Sequence, residues 1–318
     1  MTKLKTFALL LGSALSLGAA AQCLTDAEVA ALSASIEART PATTPGKISD
    51  ADGACSRGKL NALLAKRYGP VIGYKAGLTN PAVQKRFNAD QPVWGVLYDG
   101  MLFDSGVVID AAFGARPLYE ADLLVRVKSA DINSAKSPED VIAAIDQVIP
   151  FIELPDLFVQ APAQLNGAGL AALNVGARFG VKGVPIAVPD SAFGRTFMLD
   201  ALRDMTIAVT DGKDGKELAR GKGADILEHP LNAVVWLAQA LAKEGLAMQP
   251  GQLISLGSFT PLTPPTAGLT VLATYQGLPG AQPVVASFYE PGVKPQGCAV
   301  GPQTAEARAV ACYRPFIR

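Results

Sequence analysis

One stretch constrains the fold more than any other: Arg116-Pro-Leu-Tyr-Glu-Ala-Asp-Leu-Leu-Val-Arg126. Tyr119, Ala121, Leu123, Val125 and Val127 alternate with Leu118, Glu120, Asp122, Leu124 and Arg126, the two-residue period of a β-strand. Glu120 and Asp122 therefore share one face. Carboxylates placed side by side repel, and the arrangement is costly unless a cation sits between them. A Glu-x-Asp taken in isolation reads most simply as two solvated acids on an exposed face. The alternative is a pair of ligands for a hard metal ion.

The 318 residues suffice for one large domain or two ordinary ones. With 28 basic and 28 acidic residues there is no formal net charge, and nothing in that balance supports a nucleic-acid or anionic-membrane partner. Lys3 and Lys5 precede an apolar run from Phe7 to about Gly18, and Ala19-Ala20-Ala21 supplies a small-x-small cleavage pattern. The run is too short to span a bilayer comfortably. Residues 1–21 thus read as a cleavable signal peptide, with cleavage after Ala21 and a soluble, periplasmic or secreted product that keeps no membrane attachment. Gln22 directly before Cys23 argues against a lipid-modified cysteine.

Cys23, Cys55, Cys298 and Cys312 all follow that cleavage point, an even number in an oxidising compartment. Three pairings are open. Cys23–Cys55 with Cys298–Cys312 is favoured because each bond ties a terminal extension locally. Closing a loop of about 15 residues is worth roughly 3 kcal/mol in the chain-entropy model. No C-x-x-C spacing supports a zinc site.

Thr25 and Glu28 form a capping-box pattern for a helix to about Glu37, and a second helix is predicted over Ser56–Arg67. Residues 22–69 then form an N-terminal helical cap. Lys75 lies in a short apolar strand, Val71–Thr79, between Gly73 and Gly77, which permit close backbone approach. That lysine is either half-exposed or held for its charge. Gln91–Gly100 reads as a strand ending in an Asp-Gly turn.

Ser137, Pro138 and two first-turn acids open a helix predicted to about Val148. The strand that follows carries Glu153 alone among apolar neighbours. A buried lone carboxylate is expensive unless paired or metal-bound, so Glu153 is the natural third acid. Residues 156–195 read as loops and short strands around Asn174. Asp211-Gly-Lys-Asp-Gly215 joins a hairpin. Residues 229–244 form a helix stopped by Gly245. Leu253–Phe259, Leu269–Tyr275 and Val284–Tyr289 read as closing strands, and the tail at 291–318 as irregular and stapled by its cysteines.

Several chemistries are absent. The sequence has no Walker loop, no G-x-G-x-x-G between strand and helix, and no G-x-S-x-G elbow. His229 is the single histidine, which excludes multi-histidine metal sites, and its place before a helix suits capping or packing better than catalysis.

Together these residues resemble the 2-keto-4-pentenoate hydratase and 4-oxalocrotonate decarboxylase branch of the fumarylacetoacetate hydrolase superfamily. The resemblance runs over about residues 70–290, the expected catalytic domain. It rests on Gly73-Tyr-Lys-Ala-Gly-Leu-Thr79, Gln91-Pro-Val-Trp-Gly95, Glu120-Ala-Asp122, Ile152-Glu153, His229-Pro-Leu-Asn-Ala-Val-Val-Trp-Leu-Ala238 and Leu256-Gly-Ser258, in that order. It implies an α+β fold with a mixed, curved β-sheet sandwich or roll, capped by the N-terminal helices. It also implies a Mg2+ or Mn2+ ion held by Glu120, Asp122 and Glu153, with Lys75 as catalytic residue, and a homo-oligomer.

The implied reaction is that of a hydratase-like lyase acting on a small 2-oxo or 2-hydroxydienoate carboxylic acid, by stabilisation of an enolate. A 2-oxo acid decarboxylase, or an exported carboxylate-binding protein that keeps the pocket without turnover, are the alternatives. Hydrolytic carbon–carbon cleavage ranks last. The chain departs from the family pattern at Val93, where an acid is usual, at Glu153-Leu-Pro-Asp156-Leu-Phe158, where an arginine is lost, and at Leu173.

Overall fold

In the computed structural model, which describes residues 23–293 and 311–313, the chain opens with α1 (Asp26–Ala38) and α2 (Asp50–Tyr68). There follow β1 (Val71–Gly77), the short α3 (Pro81–Arg86), β2 (Val93–Tyr98), β3 (Leu102–Asp104), β4 (Val107–Asp110) and β5 (Glu120–Val127). Helix α4 (Pro138–Ala144) runs directly into β6 (Ile145–Leu154), and then come α5 (Gly167–Ala172), β7 (Phe179–Lys182), β8 (Ile186–Ala187) and α6 (Ala192–Asp204). The hairpin β9 (Thr206–Asp211) and β10 (Glu217–Lys222) precedes α7 (Asn232–Lys243), β11 (Leu253–Ser255), β12 (Thr270–Gln276), β13 (Val284–Tyr289) and β14 (Ala311–Tyr313). The expected signal segment lies outside the described residues.

Local chemistry accounts for most of these limits. Thr25 accepts from the Glu28 amide while the Glu28 carboxylate accepts from the Thr25 amide, the expected capping box. Helix α2 begins at Asp50 rather than Ser56, because Ser49 and Asp52 make the same box with a shorter acid. Helix α4 stops at Ala144, short of the expected Val148. The run Ile145, Val148, Ile149 is β-branched and buried, and it pairs with β5 over its whole length, so strand pairing overrides the helical start.

Residues 156–195 hold more helix than expected, with α5 inside that span and α6 starting in it at Ala192 and running on to Asp204. Helix α5 is built from Gly167-Ala-Gly-Leu-Ala-Ala and wholly buried, so it carries no amphipathic signature. Helix α6 exposes Phe193 and Phe197, which blurs its apolar stripe. The tail contributes β14, antiparallel to β4, where irregular chain was expected.

Two sheets result, in the orders β2-β1-β11-β5-β6-β7-β3, with β8 on β6, and β10-β9-β12-β13-β4-β14. Each mixes parallel with antiparallel neighbours, giving the expected α+β class. Strand β5 sits mid-sheet with all but Arg126 buried, because β12 and β13 pack on its neighbour β6 while α7 covers β1. The Tyr275 hydroxyl of the second sheet donates to the carbonyls of Asp122 (2.6 Å) and Phe151 (2.7 Å), coupling the two sheets at the paired strands. Cys23 and Cys55 are disulfide-bonded, as expected. Cys312 is disulfide-bonded too, while Cys298, its expected partner, lies outside the described residues.

Candidate active site

Adjacent strands bring the expected residues to one place. Lys75 lies opposite Ser255 where β1 pairs with β11, and Glu120 lies directly opposite Glu153 where β5 pairs with β6. None of the four charged residues is solvated: Lys75 is 3 %, Glu120 7 %, Asp122 0 % and Glu153 2 % exposed. The reading of Glu120 and Asp122 as surface acids is thereby excluded. The entry to β5 is tied to the exit of β6 by Asp156, whose carboxylate accepts from the amides of Ala115 (2.9 Å) and Arg116 (2.7 Å). Pro155 contributes its carbonyl to Leu118 at 2.9 Å, so the departure from the family pattern after Glu153 still holds the two acidic strands in register.

Charge in this cluster is unbalanced. The Lys75 ammonium donates to Glu153 Oε1 and to the Val175 carbonyl at 3.2 Å. Glu153 Oε2 is buried and has no hydrogen-bond partner. Asp122 is well solvated by protein: Oδ2 accepts from the Ser255 hydroxyl at 2.5 Å, and Oδ1 from the amides of Leu123, Leu256 and Gly257 at 2.5, 3.2 and 3.0 Å. Burial pushes the Glu120 carboxyl well above its usual range, the Glu153 charge adds to this, and Lys75 opposes it. Burial and then Glu153 push Asp122 up likewise, against the Ser255 hydrogen bond. Three buried carboxylates thus share one ammonium.

Among the described residues no three His, Cys, Asp or Glu side chains are gathered into a ready-made metal cage. The donor chemistry nonetheless fits a hard divalent cation. Every available donor is oxygen, the cluster has three carboxyl groups for one ammonium, and Glu153 Oε2 is an unused buried acceptor. Glu120 and Glu153 reach the wall of a cavity of about 420 Å³, together with Lys75, Thr79 and Ser258. Val83, Phe87, Leu157, Leu170 and Leu262 supply its apolar lining. Thr79 Oγ1 is a second buried acceptor with no partner. The cavity therefore offers anionic oxygens and one ammonium at one place, within an apolar enclosure suited to a small organic acid.

Some contributors carried no signal in the sequence reading. Ser255 solvates Asp122, and Val175 receives Lys75. The glycine at 77 was legible as a close approach, but what approaches is the chain itself: a Cβ there would meet Val175 Cγ1 at 2.5 Å. Val93 lines a neighbouring cavity rather than this one. His229 acts as a cap, its Nδ1 accepting from the Leu231 amide and its Nε2 meeting the Leu199 carbonyl, both at 3.1 Å.

No family model matches the chain. It is 31% identical over 245 residues to 2-keto-4-pentenoate hydratase of Burkholderia vietnamiensis (strain G4 / LMG 22486), covering 74% of this chain and 86% of that protein. Among solved structures, 4-oxalocrotonate decarboxylase from Pseudomonas putida G7, complexed with magnesium and adipate, superposes with a TM-score of 0.69. That match has 27% identity and covers 84% of this chain and 99% of the other. Fumarylpyruvate hydrolase from Pseudomonas aeruginosa, in complex with Mn2+ and pyruvate, shares the fold at a TM-score of 0.50 and 14% identity, over 68% of this chain and 88% of that one.

Proposed function

The chain belongs to the 2-keto-4-pentenoate hydratase and 4-oxalocrotonate decarboxylase family of lyase-type enzymes, within the fumarylacetoacetate hydrolase superfamily, and from that premise we propose a divalent-metal-dependent hydratase acting on a small 2-oxo or 2-hydroxydienoate carboxylic acid. One observation carries the reading. Three buried carboxylates share a single ammonium, and one of their oxygens has no partner, beside a cavity of substrate size. Glu120 and Glu153 would hold Mg2+ or Mn2+ from the cavity wall; Asp122, the third expected ligand, lies behind them with its oxygens taken by Ser255 and the amides of Leu123, Leu256 and Gly257, and would have to release one of them to join. When bound, the ion supplies Lewis acidity toward the carboxylate and keto oxygens of a 2-oxo acid, lowering the cost of its enolate.

The chain's own residues do the rest. Lys75 sets a positive charge at the inner end of the cavity, where a substrate carboxylate is neutralised or a proton is exchanged. Thr79 Oγ1 offers an unpartnered hydroxyl on the same wall, beside Ser258, whose hydroxyl donates to the Thr260 carbonyl. Phe87, Leu157 and Leu170 exclude water and strengthen those charges. An ultraviolet assay with 2-hydroxypenta-2,4-dienoate and Mn2+ tests this. We expect turnover that falls roughly a thousandfold in Glu120→Ala, the several kcal/mol a bound metal supplies. No turnover above that variant contradicts the reading.

A second reaction, decarboxylation of a 2-oxo dicarboxylate, is favoured by Arg86 at the wall of the same cavity, where Arg220 also lies but with its guanidinium held by Glu217. Carbon dioxide release from 4-oxalocrotonate distinguishes it from hydration.

Export completes the proposal. The Cys23–Cys55 disulfide supports maturation in an oxidising compartment, and periplasmic fractionation with Gln22 as the mature N-terminus checks it.

A further inference from the structure

Asn174 is fully buried and opens the single 3-10 turn, Asn174–Gly176, that follows α5. Its side-chain Oδ1 accepts from the Val96 amide at 2.7 Å, and its Nδ2 donates to the Val96 carbonyl at 3.0 Å. The side chain thus pairs with β2 as a neighbouring strand would. Asn174 and Val175 both lie in the left-handed region, at φ 53° each, which is costly for a β-branched valine and persists only when its surroundings enforce it. Those surroundings are prepared from two strands. A Cβ on Gly95 would meet the Asn174 carbonyl oxygen at 2.6 Å, and one on Gly77 would meet the Val175 side chain. The result is a carbonyl, that of Val175, aimed at the Lys75 ammonium.

Lys75 therefore has two acceptors of different kinds, the charged Glu153 and the neutral Val175 carbonyl. A divalent cation at Glu153 competes with the first and leaves the second. We infer that Asn174 is a positioning residue: through the strained Val175 carbonyl it holds Lys75 in the cavity and keeps it from monopolising Glu153 against the metal ion. The inference rests on the metal-site reading above. Without the Asn174 side chain the carbonyl relaxes, Glu153 becomes the sole acceptor of Lys75, and the metal ion must displace a fuller ion pair.

Mn2+ binding, read by calorimetry in wild type, Asn174→Gly, Lys75→Met and the double variant, tests this. Glycine adopts a positive φ without penalty, so Asn174→Gly removes the clamp while tolerating the turn. We expect it to weaken Mn2+ about fivefold when Lys75 is present and to have no effect in the Lys75→Met background, a coupling that only interacting residues show. Lys75→Met alone should tighten Mn2+. Equal weakening in both backgrounds, as a merely structural role would give, or no weakening in either, overturns the inference.

A crystal structure of the Mn2+-loaded wild type gives a reading independent of whether the variants fold. Nζ should remain on the Val175 carbonyl and be gone from Glu153, and a retained Lys75–Glu153 pair overturns the inference. Wild type that binds no Mn2+ overturns the metal-site reading itself, and this inference with it.

Discussion

Two buried cations meet their carboxylates on different terms in this protein. Arg57 of α2 places Nη2 2.6 and 2.5 Å from the two oxygens of Glu244, lies 3.5 Å from the centroid of the Trp94 ring, and shares Glu244 with the Trp94 indole at 3.2 Å. One charge meets one charge, and the pair joins α2 to the residue that ends α7. Burial draws the Arg57 guanidinium down from its ordinary value, while Glu244 opposes the shift. Lys75 instead faces three carboxylates and satisfies part of one. The Arg57 guanidinium is buried and matched by one carboxylate, and Glu244 keeps part of that carboxylate in water. The Lys75 cluster holds three buried carboxyl groups for one ammonium, an arrangement that folding does not reward and that suits the proposed cation site.

Removing a partner should break the two regions differently. Arg57→Ala removes the cation shared by the part-exposed Glu244 and the Trp94 ring, and in urea unfolding it should cost about 1–3 kcal/mol, with turnover of the folded fraction unchanged. Glu120→Gln should do the opposite in metal-free protein. Neutralising a carboxylate in a crowded acidic cluster should raise stability by roughly 1–2 kcal/mol, while activity is lost. A destabilised Glu120→Gln protein would mean that the acids are as well compensated as Glu244.

The smallest effect provides a control. Burial holds the His229 imidazole below its ordinary value, so the neutral form belongs to the native state. The unfolded chain takes up that proton first, as pH falls through about 6.5. The contribution of His229 to stability is therefore complete above that value and is lost as pH falls through it toward the lowered native value. Urea midpoints between neutral and mildly acid pH should show this contribution to the slope in wild type and Arg57→Ala alike, and lose it in His229→Gln.

Much of this was legible in the chain, and the remainder has physical reasons. Glu120, Asp122, Glu153 and Lys75 could be picked out because carboxylates and a lysine in apolar strands are chemically conspicuous. That they adjoin depends on β11 joining β1 to β5, a pairing between residues far apart in sequence that no local pattern records. The caps at Thr25 and Ser137 were readable because they act within one turn. The start of α2 at Ser49 was missed for the opposite reason, since Asp52 does the work that Glu28 does in α1. Helices α5 and α6 were missed because one is buried all round and the other carries exposed aromatics. Asn174 and Val175 drew no role from the sequence, because their contribution lies in backbone conformation and in an amide reaching β2 from a distant loop.

Whether the acidic cluster takes a divalent cation is read by calorimetric titration of Mn2+ into metal-free wild type and Glu120→Gln. We expect one saturable site per chain in wild type, displaced by Mg2+ and lost in the variant. Absence of saturable binding in wild type, or binding that survives unchanged in Glu120→Gln, would contradict it.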